Sequence, residues 1–129
     1  MPAEPLQKIL YVEDDDDIRQ IANLALEMVG GLTVRACASG AEAVAQAAAF
    51  KPQLILLDVM MPGLDGPATM TALRSLPGTA NTPVIFMTAK VQPQEVARIR
   101  ALGAIDVVAK PFDPMTLAET IRGIWDRTP

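Results

Sequence analysis

Short apolar runs alternate five times with amphipathic stretches along this chain, the arrangement expected of repeated strand and helix units that feed a parallel sheet. The pattern predicts strands at about 8–13, 32–36, 53–58, 83–88 and 106–109, with helices in the intervals. The runs Ile9-Leu10-Tyr11-Val12, Leu54 to Leu57 and Val84-Ile85-Phe86-Met87 are apolar at every position, as central strands covered on both faces must be. Leu32-Thr33-Val34-Arg35-Ala36 alternates instead, which suits an edge strand, and the short Asp106-Val107-Val108-Ala109 suits the other edge.

Helix signals fill the gaps. The first helix is expected from about Asp17 to Val29, with Ile18, Ala22, Ala25 and Val29 inward and Gly30-Gly31 as its stop. Leu24, Leu26 and Met28 lie beyond that stripe and mark a candidate dimer or docking face. Ser39 is the expected N-cap of the second helix, with Val44, Ala47 and Ala48 facing inward. Asp65-Gly66-Pro67, Gln92-Pro93 and Asp113-Pro114 supply acceptors and first-turn prolines for the third, fourth and fifth. The fifth carries Leu117, Ile121, Ile124 and Trp125, and that tryptophan is expected to cover an edge of the sheet. The proline-rich ends, Met1 to Pro5 and Thr128-Pro129, read as frayed termini.

At 129 residues the chain is expected to form a single domain over its whole length, residues 1–129. Its 11 basic and 15 acidic residues are scattered, which argues against a nucleic-acid footprint or a polybasic membrane patch. A single cysteine, Cys37, excludes an internal disulfide and fits a reducing compartment. With no signal segment and no apolar stretch long enough to span a bilayer, the expected location is the cytoplasm.

The chemistry sits at strand ends. Asp58 closes the third apolar run, Glu13-Asp14-Asp15-Asp16-Asp17 follows the first, Thr88 ends the fourth and Lys110-Pro111 follows the fifth. In a parallel sheet these ends share one rim, so acids, a hydroxyl and an ammonium converge there. Carboxylates brought close together need a cation, and an oxygen-only set points to Mg²⁺, held by Glu13, Asp14 and Asp58. Asp16 and Asp17 read better as a solvated helix start, and Asp15 fits either role. Asp58 alone could be a ligand, a nucleophile or a turn residue; beside a metal that binds phosphate it can attack phosphorus and form an acyl phosphate. Lys110 and Thr88 would then supply charge and hydrogen bonding to the phosphoryl oxygens.

These pieces together resemble the receiver domains of bacterial two-component response regulators: Ile9 to Asp14 for the acidic pair, Leu57 to Gly66 for the phosphoacceptor turn, Met87-Thr88-Ala89-Lys90 for the switch hydroxyl and Ala109-Lys110-Pro111-Phe112 for the lysine loop. The resemblance covers Ile9 to about Trp125. It implies a flavodoxin-like α/β fold, a doubly wound parallel sheet in the order 2-1-3-4-5 with five helices. It also implies that Asp58 takes a phosphoryl group from a histidine kinase or histidine phosphotransfer protein, a role the chain cannot reverse because it has no histidine. Glu13, Asp14, Asp58 and the Met60 backbone carbonyl would hold Mg²⁺, a cis Lys110-Pro111 bond would place Lys110, and Thr88 would swing to the phosphate. The output would be a changed surface of helix 4, strand 5 and helix 5 for a downstream protein. The chain would then be a switch, catalysing only its own phosphorylation and dephosphorylation.

Two positions depart from the family's habit. Val107 stands where an aromatic three residues before the lysine usually relays the signal, and Met60 and Lys90 occupy the positions that tune acyl-phosphate lifetime. One rival is a Mg²⁺-dependent hydrolase of the haloacid dehalogenase type, which wants a second acid where Met60 stands. Another is a phosphorylation-independent scaffold, against which the complete acid, threonine and lysine set argues.

Overall fold

The computed structural model describes residues 4–128 and forms five parallel strands and five α-helices. The strands are β1 (Lys8–Val12), β2 (Thr33–Cys37), β3 (Leu54–Asp58), β4 (Val84–Thr88) and β5 (Asp106–Ala109). They pair in the order β2-β1-β3-β4-β5, so the winding direction reverses between β1 and β3. Every strand runs the same way, and the register sets Val12 beside Leu57 and Asp58 beside Met87. The C-terminal ends therefore form one rim with the reversal point at its middle.

Both faces of the sheet are covered, which is why the central runs carry no polar residue until they end. One face sends Ile9, Tyr11, Leu54, Leu56, Ile85 and Met87 toward α1 (Asp16–Leu24) and α5 (Leu117–Arg127). The other sends Leu10, Val12, Ile55, Leu57, Val84 and Phe86 toward α2 (Gly40–Phe50), α3 (Gly66–Arg74) and α4 (Pro93–Ala101). Period-two alternation thus persists inside an all-apolar strand, hidden because both layers are dry. β2 alternates between exposed and half-buried residues before Cys37, as an edge strand should.

Most caps follow the side chains expected of them. Asp15 accepts from the Ile18 N–H, Ser39 from the Glu42 N–H and Asp65 from the Ala68 N–H, each satisfying a helix-start donor. The fifth helix begins later than its Asp113-Pro114 signal. Asp113 instead organises a turn, accepting from Met115 N–H through its side chain and from Leu117 N–H through its carbonyl, and Thr116 takes the cap position.

The first helix differs more. After Leu24 it widens into a π-helical turn, Ala25–Val29, closed by a Gly30 N–H to Ala25 carbonyl bond. The wider turn slows the rotation per residue, so Leu26 is fully buried while Val29 is 50% exposed, the reverse of the α-helical expectation. Gly30 fits because a Cβ there would lie 2.5 Å from that of Ala118 on α5, while Gly31, at φ +69°, makes the left-handed stop. On α2, Ala48 is exposed and Ala43, Ala47 and Phe50 are buried, so the inward face lies one position off the one predicted.

Met1–Ala3 and Pro129, part of the predicted frayed ends, lie outside the described residues. The described portions are tied down: the Trp125 indole N–H donates to the Glu4 carbonyl at 3.0 Å, and Gln53 Nε2 donates to the Pro5 carbonyl at 3.1 Å. Thr128 donates its hydroxyl to the Ile124 carbonyl at 2.9 Å. Trp125 itself is buried on α5 against the sheet, as expected of it.

Gly123 sits inside α5 with no steric reason to be glycine, since a Cβ there would meet only Arg127 Nη1, at 3.6 Å. Gly123→Ala should stabilise the fold by about 0.5–1 kcal/mol by reducing the freedom of the unfolded chain. A thermal midpoint raised by roughly 2–4 °C would bear this out, and an unchanged or lowered midpoint would refute it.

Candidate functional site

Four strand ends deliver the site. β1 passes directly into Glu13 and Asp14, β3 ends on Asp58, β4 ends on Thr88, and Lys110 follows β5. Glu13, Asp58 and Thr88 are buried at 1%, 5% and 6% exposure, whereas Asp14 is exposed. Carboxylate oxygens of Glu13, Asp14 and Asp58 all lie within 4.8 Å of one another. The expected acids are therefore brought together, with Asp15 drawn off as a helix cap.

Lys110 reaches across from the next loop. Its Nζ donates to Glu13 Oε1 at 2.7 Å and lies 3.3 Å from Asp58 Oδ1. Its backbone N–H donates to the Thr88 carbonyl at 2.9 Å, and the Lys110-Pro111 peptide is cis. Thr88 does not touch the acids in this state; its hydroxyl accepts the Lys90 N–H at 3.0 Å. Met60, two residues past Asp58, has a 69% exposed side chain beside the opening formed with Thr88, Lys90 and Arg98.

The charges do not balance. Three carboxylates lie together with one ammonium, which reaches only Glu13 and Asp58, so the cluster carries excess negative charge. Burial pushes the Glu13 carboxyl up to about 7, against the opposing bonds from Lys110 and the Asp15 N–H, and the charge on Asp58 adds to the rise. For Lys110, burial by itself favours the neutral amine, but its bond to Glu13 and the charges of Asp58 and Glu13 outweigh that and raise its pKa. An oxygen-only cluster with this deficit fits a hard divalent cation such as Mg²⁺.

The end of β3 is held by backbone packing as well as by charge. Val59 N–H donates to the Met87 carbonyl at 3.1 Å, and Gly66 N–H returns to the Val59 carbonyl at 2.9 Å. A Cβ on Gly66 would strike the Asp58 carbonyl oxygen and lie 2.9 Å from Val59 Cα and 2.8 Å from Phe86 Cε1. Since backbone cannot step aside as a flexible side chain can, Gly66→Ala should cost about 1–3 kcal/mol and displace Asp58. Urea unfolding together with a divalent-cation titration would show both losses; a variant with wild-type stability and cation affinity would contradict the packing argument.

Two groups in this neighbourhood were not singled out from the sequence. Arg19, on the first turn of α1, donates from Nη1 to the Glu13 carbonyl at 2.9 Å and to the Asp14 carbonyl at 3.5 Å, while Nη2 pairs with Asp16. The only signal was an arginine one turn beyond an acidic run, a spacing shared by ordinary surface ion pairs. Tyr11 is fully buried beneath the acids with no hydrogen-bond partner for its hydroxyl among the described residues, and burial, reinforced by the charges of Glu13 and Asp58, raises its pKa. Val107, three residues before Lys110, is half-buried against the face of the sheet that carries α2, α3 and α4. Among the described residues no helix is long and apolar enough to cross a membrane.

Comparison with known proteins agrees with the geometry. The family model for the response regulator receiver domain matches residues 9–122. The chain is 39% identical over 119 residues to the transcriptional regulatory protein CseB of Streptomyces coelicolor, covering 92% of this chain and 49% of that protein. It is 35% identical over 120 residues to the phosphate regulon transcriptional regulatory protein PhoB of Pseudomonas aeruginosa, covering 93% and 52%. The chain thus spans about half the length of the curated relatives it matches. Among solved structures, the chemotaxis protein CheY4 of Vibrio cholerae superimposes with a TM-score of 0.84 at 32% identity, covering 92% of this chain and 98% of that one. The receiver domain of Francisella response regulator 1452 gives 0.81 at 28% identity, covering 95% and 99%. A doubly wound sheet with acids, threonine and lysine at its reversal point, matched over nearly its full length by the family model, makes this chain a member of the response regulator receiver domain family.

Proposed function

We propose that Asp58 is the phosphoacceptor of a two-component switch, charged by a histidine kinase or a histidine phosphotransfer protein. The observation that carries this reading is the Lys110 ammonium held between Glu13 and Asp58 beside a three-carboxylate cluster. Glu13, Asp14 and Asp58, with the Met60 carbonyl, would hold Mg²⁺, which would supply charge neutralisation and orient the phosphoryl group. An Asp58 carboxylate oxygen attacks phosphorus, the phosphorus–nitrogen bond of the donor's phosphoimidazole breaks, and its electron pair stays on the ring, which leaves as neutral imidazole because its other nitrogen already carries a proton.

The product carries about −1.5 to −2 charges where the carboxylate carried one, a net gain of about half to one negative charge spread over three acceptor oxygens at the buried end of β3. Lys110 already lies 3.3 Å from Asp58, so it can pair with the new oxygens by loosening its bond to Glu13. Thr88 only accepts from the Lys90 N–H, so its hydroxyl proton is free to be donated to the phosphoryl group, and rotation of the side chain toward it would carry the β4–α4 connection along. Helix α4 is suited to shift, because Ile99 is its only fully buried residue. The output surface is α4, β5 and α5, read by a downstream protein, with Val107 rather than an aromatic between site and surface.

We assign residues 1–129 to one receiver domain acting in the cytoplasm. The relatives' names describe transcriptional regulators, but the acidic balance of this chain supports protein partners rather than direct DNA contact. The test is intact mass after incubation with Mg²⁺ and acetyl phosphate. One added phosphoryl group is expected; an unchanged mass would overturn the proposal, and multiple turnover of phosphate monoesters would replace it with a hydrolase.

A further inference from the structure

We infer that Arg19 is a positioning residue for the cation site, acting on the main chain behind the acids rather than on the acids themselves. The inference rests on the metal-binding role proposed above for Glu13 and Asp14. Glu13 and Asp14 are consecutive residues with opposite environments, one buried and one exposed, and both must offer an oxygen to the same point. Glu13 has its own restraints, from Lys110 Nζ at 2.7 Å and the Asp15 N–H at 3.2 Å. Asp14 has no side-chain hydrogen bond among the described residues, so its placement depends on the backbone that carries it.

Arg19 fixes that backbone. One guanidinium nitrogen spans the carbonyls of Glu13 and Asp14, and the other closes onto Asp16 two residues later. The side chain is only 21% exposed, and its planar fork ties the Glu13 carbonyl at 2.9 Å, and more loosely the Asp14 carbonyl at 3.5 Å, to Asp16 at the start of α1. Acids that repel one another are held on a loop that would otherwise spread them.

Lysine keeps the charge but has one nitrogen and no rigid fork, and glutamine keeps neither. Isothermal titration of the full chain with Mg²⁺ should show affinity weakened about tenfold or more in Arg19→Gln, the low end of the range seen when groups that orient metal ligands are removed, and by a smaller factor, above about twofold, in Arg19→Lys. The acetyl phosphate reaction should need correspondingly more Mg²⁺, yet reach a rate within about twofold of wild type at saturation, since Arg19 touches no reacting atom. Arg100→Gln, which loses a cation paired with Asp106 away from the site, should leave Mg²⁺ affinity unchanged. If Arg19→Gln does not fold, Arg19→Lys carries the test. Mg²⁺ affinity within twofold of wild type in a folded Arg19 variant, or an equal loss in Arg100→Gln, would overturn the inference. Failure of the wild type to bind Mg²⁺ would instead remove the cation site on which it rests.

Discussion

Asp58→Asn should abolish phosphoryl uptake from acetyl phosphate, lowering the rate by at least about a thousandfold, or roughly 4 kcal/mol of barrier. Asparagine keeps the shape and one acceptor oxygen, so Lys110 can still be oriented, but an amide lacks the anionic oxygen that attacks phosphorus. The fold should survive. Asp58 lies at the end of β3 on a buried site with excess negative charge, and removing one charge relieves repulsion among three carboxylates served by one lysine. Loss of labelling in a variant with wild-type circular dichroism and unfolding midpoint is therefore the expected result. Labelling equal to wild type would move the acceptor to another acid, Asp14 being the exposed one within reach.

The sheet was legible because its rules are local and strong. Three apolar runs read as central strands, Leu32 to Ala36 alternated as an edge must, and the candidate site residues fell at the C-terminal ends of β1, β3, β4 and β5. Once the strands were parallel, convergence of Glu13, Asp14, Asp58, Thr88 and Lys110 followed from chain direction alone. The helices were read less well, for reasons that are tertiary. The π turn at Ala25–Val29 allows Gly30 to approach Ala118 closely, a contact invisible in α1 considered alone. In alanine-rich α2 several faces are equally apolar, so packing of Phe50 and Ala43 decides which is buried. Asp113 carried the chemistry of a cap but spent it on a turn.

Pairings within the site were the least legible. Sequence placed Lys110 near Asp58 but gave no means of showing that its shorter bond goes to Glu13, or that Thr88 is engaged with Lys90. Both facts concern competition for a partner, which depends on distances of a fraction of an ångström. They also bear on function: Lys110 holds a bond to Glu13 that it can exchange for a phosphoryl oxygen, and Thr88, which only accepts from Lys90, keeps its hydroxyl proton to donate. The resting state stores its switch in partners, so charge arriving at Asp58 has two ready responses.

Lys110→Ala should separate the lysine's structural part from its chemical one. In the absence of Mg²⁺ it leaves Glu13 and Asp58, 1% and 7% exposed as side chains, without their shared cation. Stranding buried charge is strongly destabilising; with Asp14 open to solvent and Lys110 itself 17% exposed, about 2–3 kcal/mol is expected at pH 8. The loss should depend on pH in a definite direction. Glu13 is raised in the folded protein from its ordinary value of 4.5 to about 7, so between those values the folded state binds more protons and stability falls as pH rises. Removing the ammonium raises Glu13 further, which widens that window upward and steepens the loss above pH 7. Near pH 5 Glu13 is protonated with or without Lys110, so only the part of the loss that comes from Asp58 remains and the difference between variant and wild type should be smaller than at pH 8. Millimolar Mg²⁺ at pH 8 should recover most of the stability, because a divalent cation can neutralise the same acids. It should not recover the chemistry, since the phosphoryl oxygens still lack their ammonium partner, and phosphorylation should remain about a hundredfold slower. Urea melts at the two pH values with and without Mg²⁺, alongside labelling rates, would test each part. A stability loss equal at pH 5 and pH 8, or labelling restored by Mg²⁺ alone, would show that Lys110 does not hold the charge of this site.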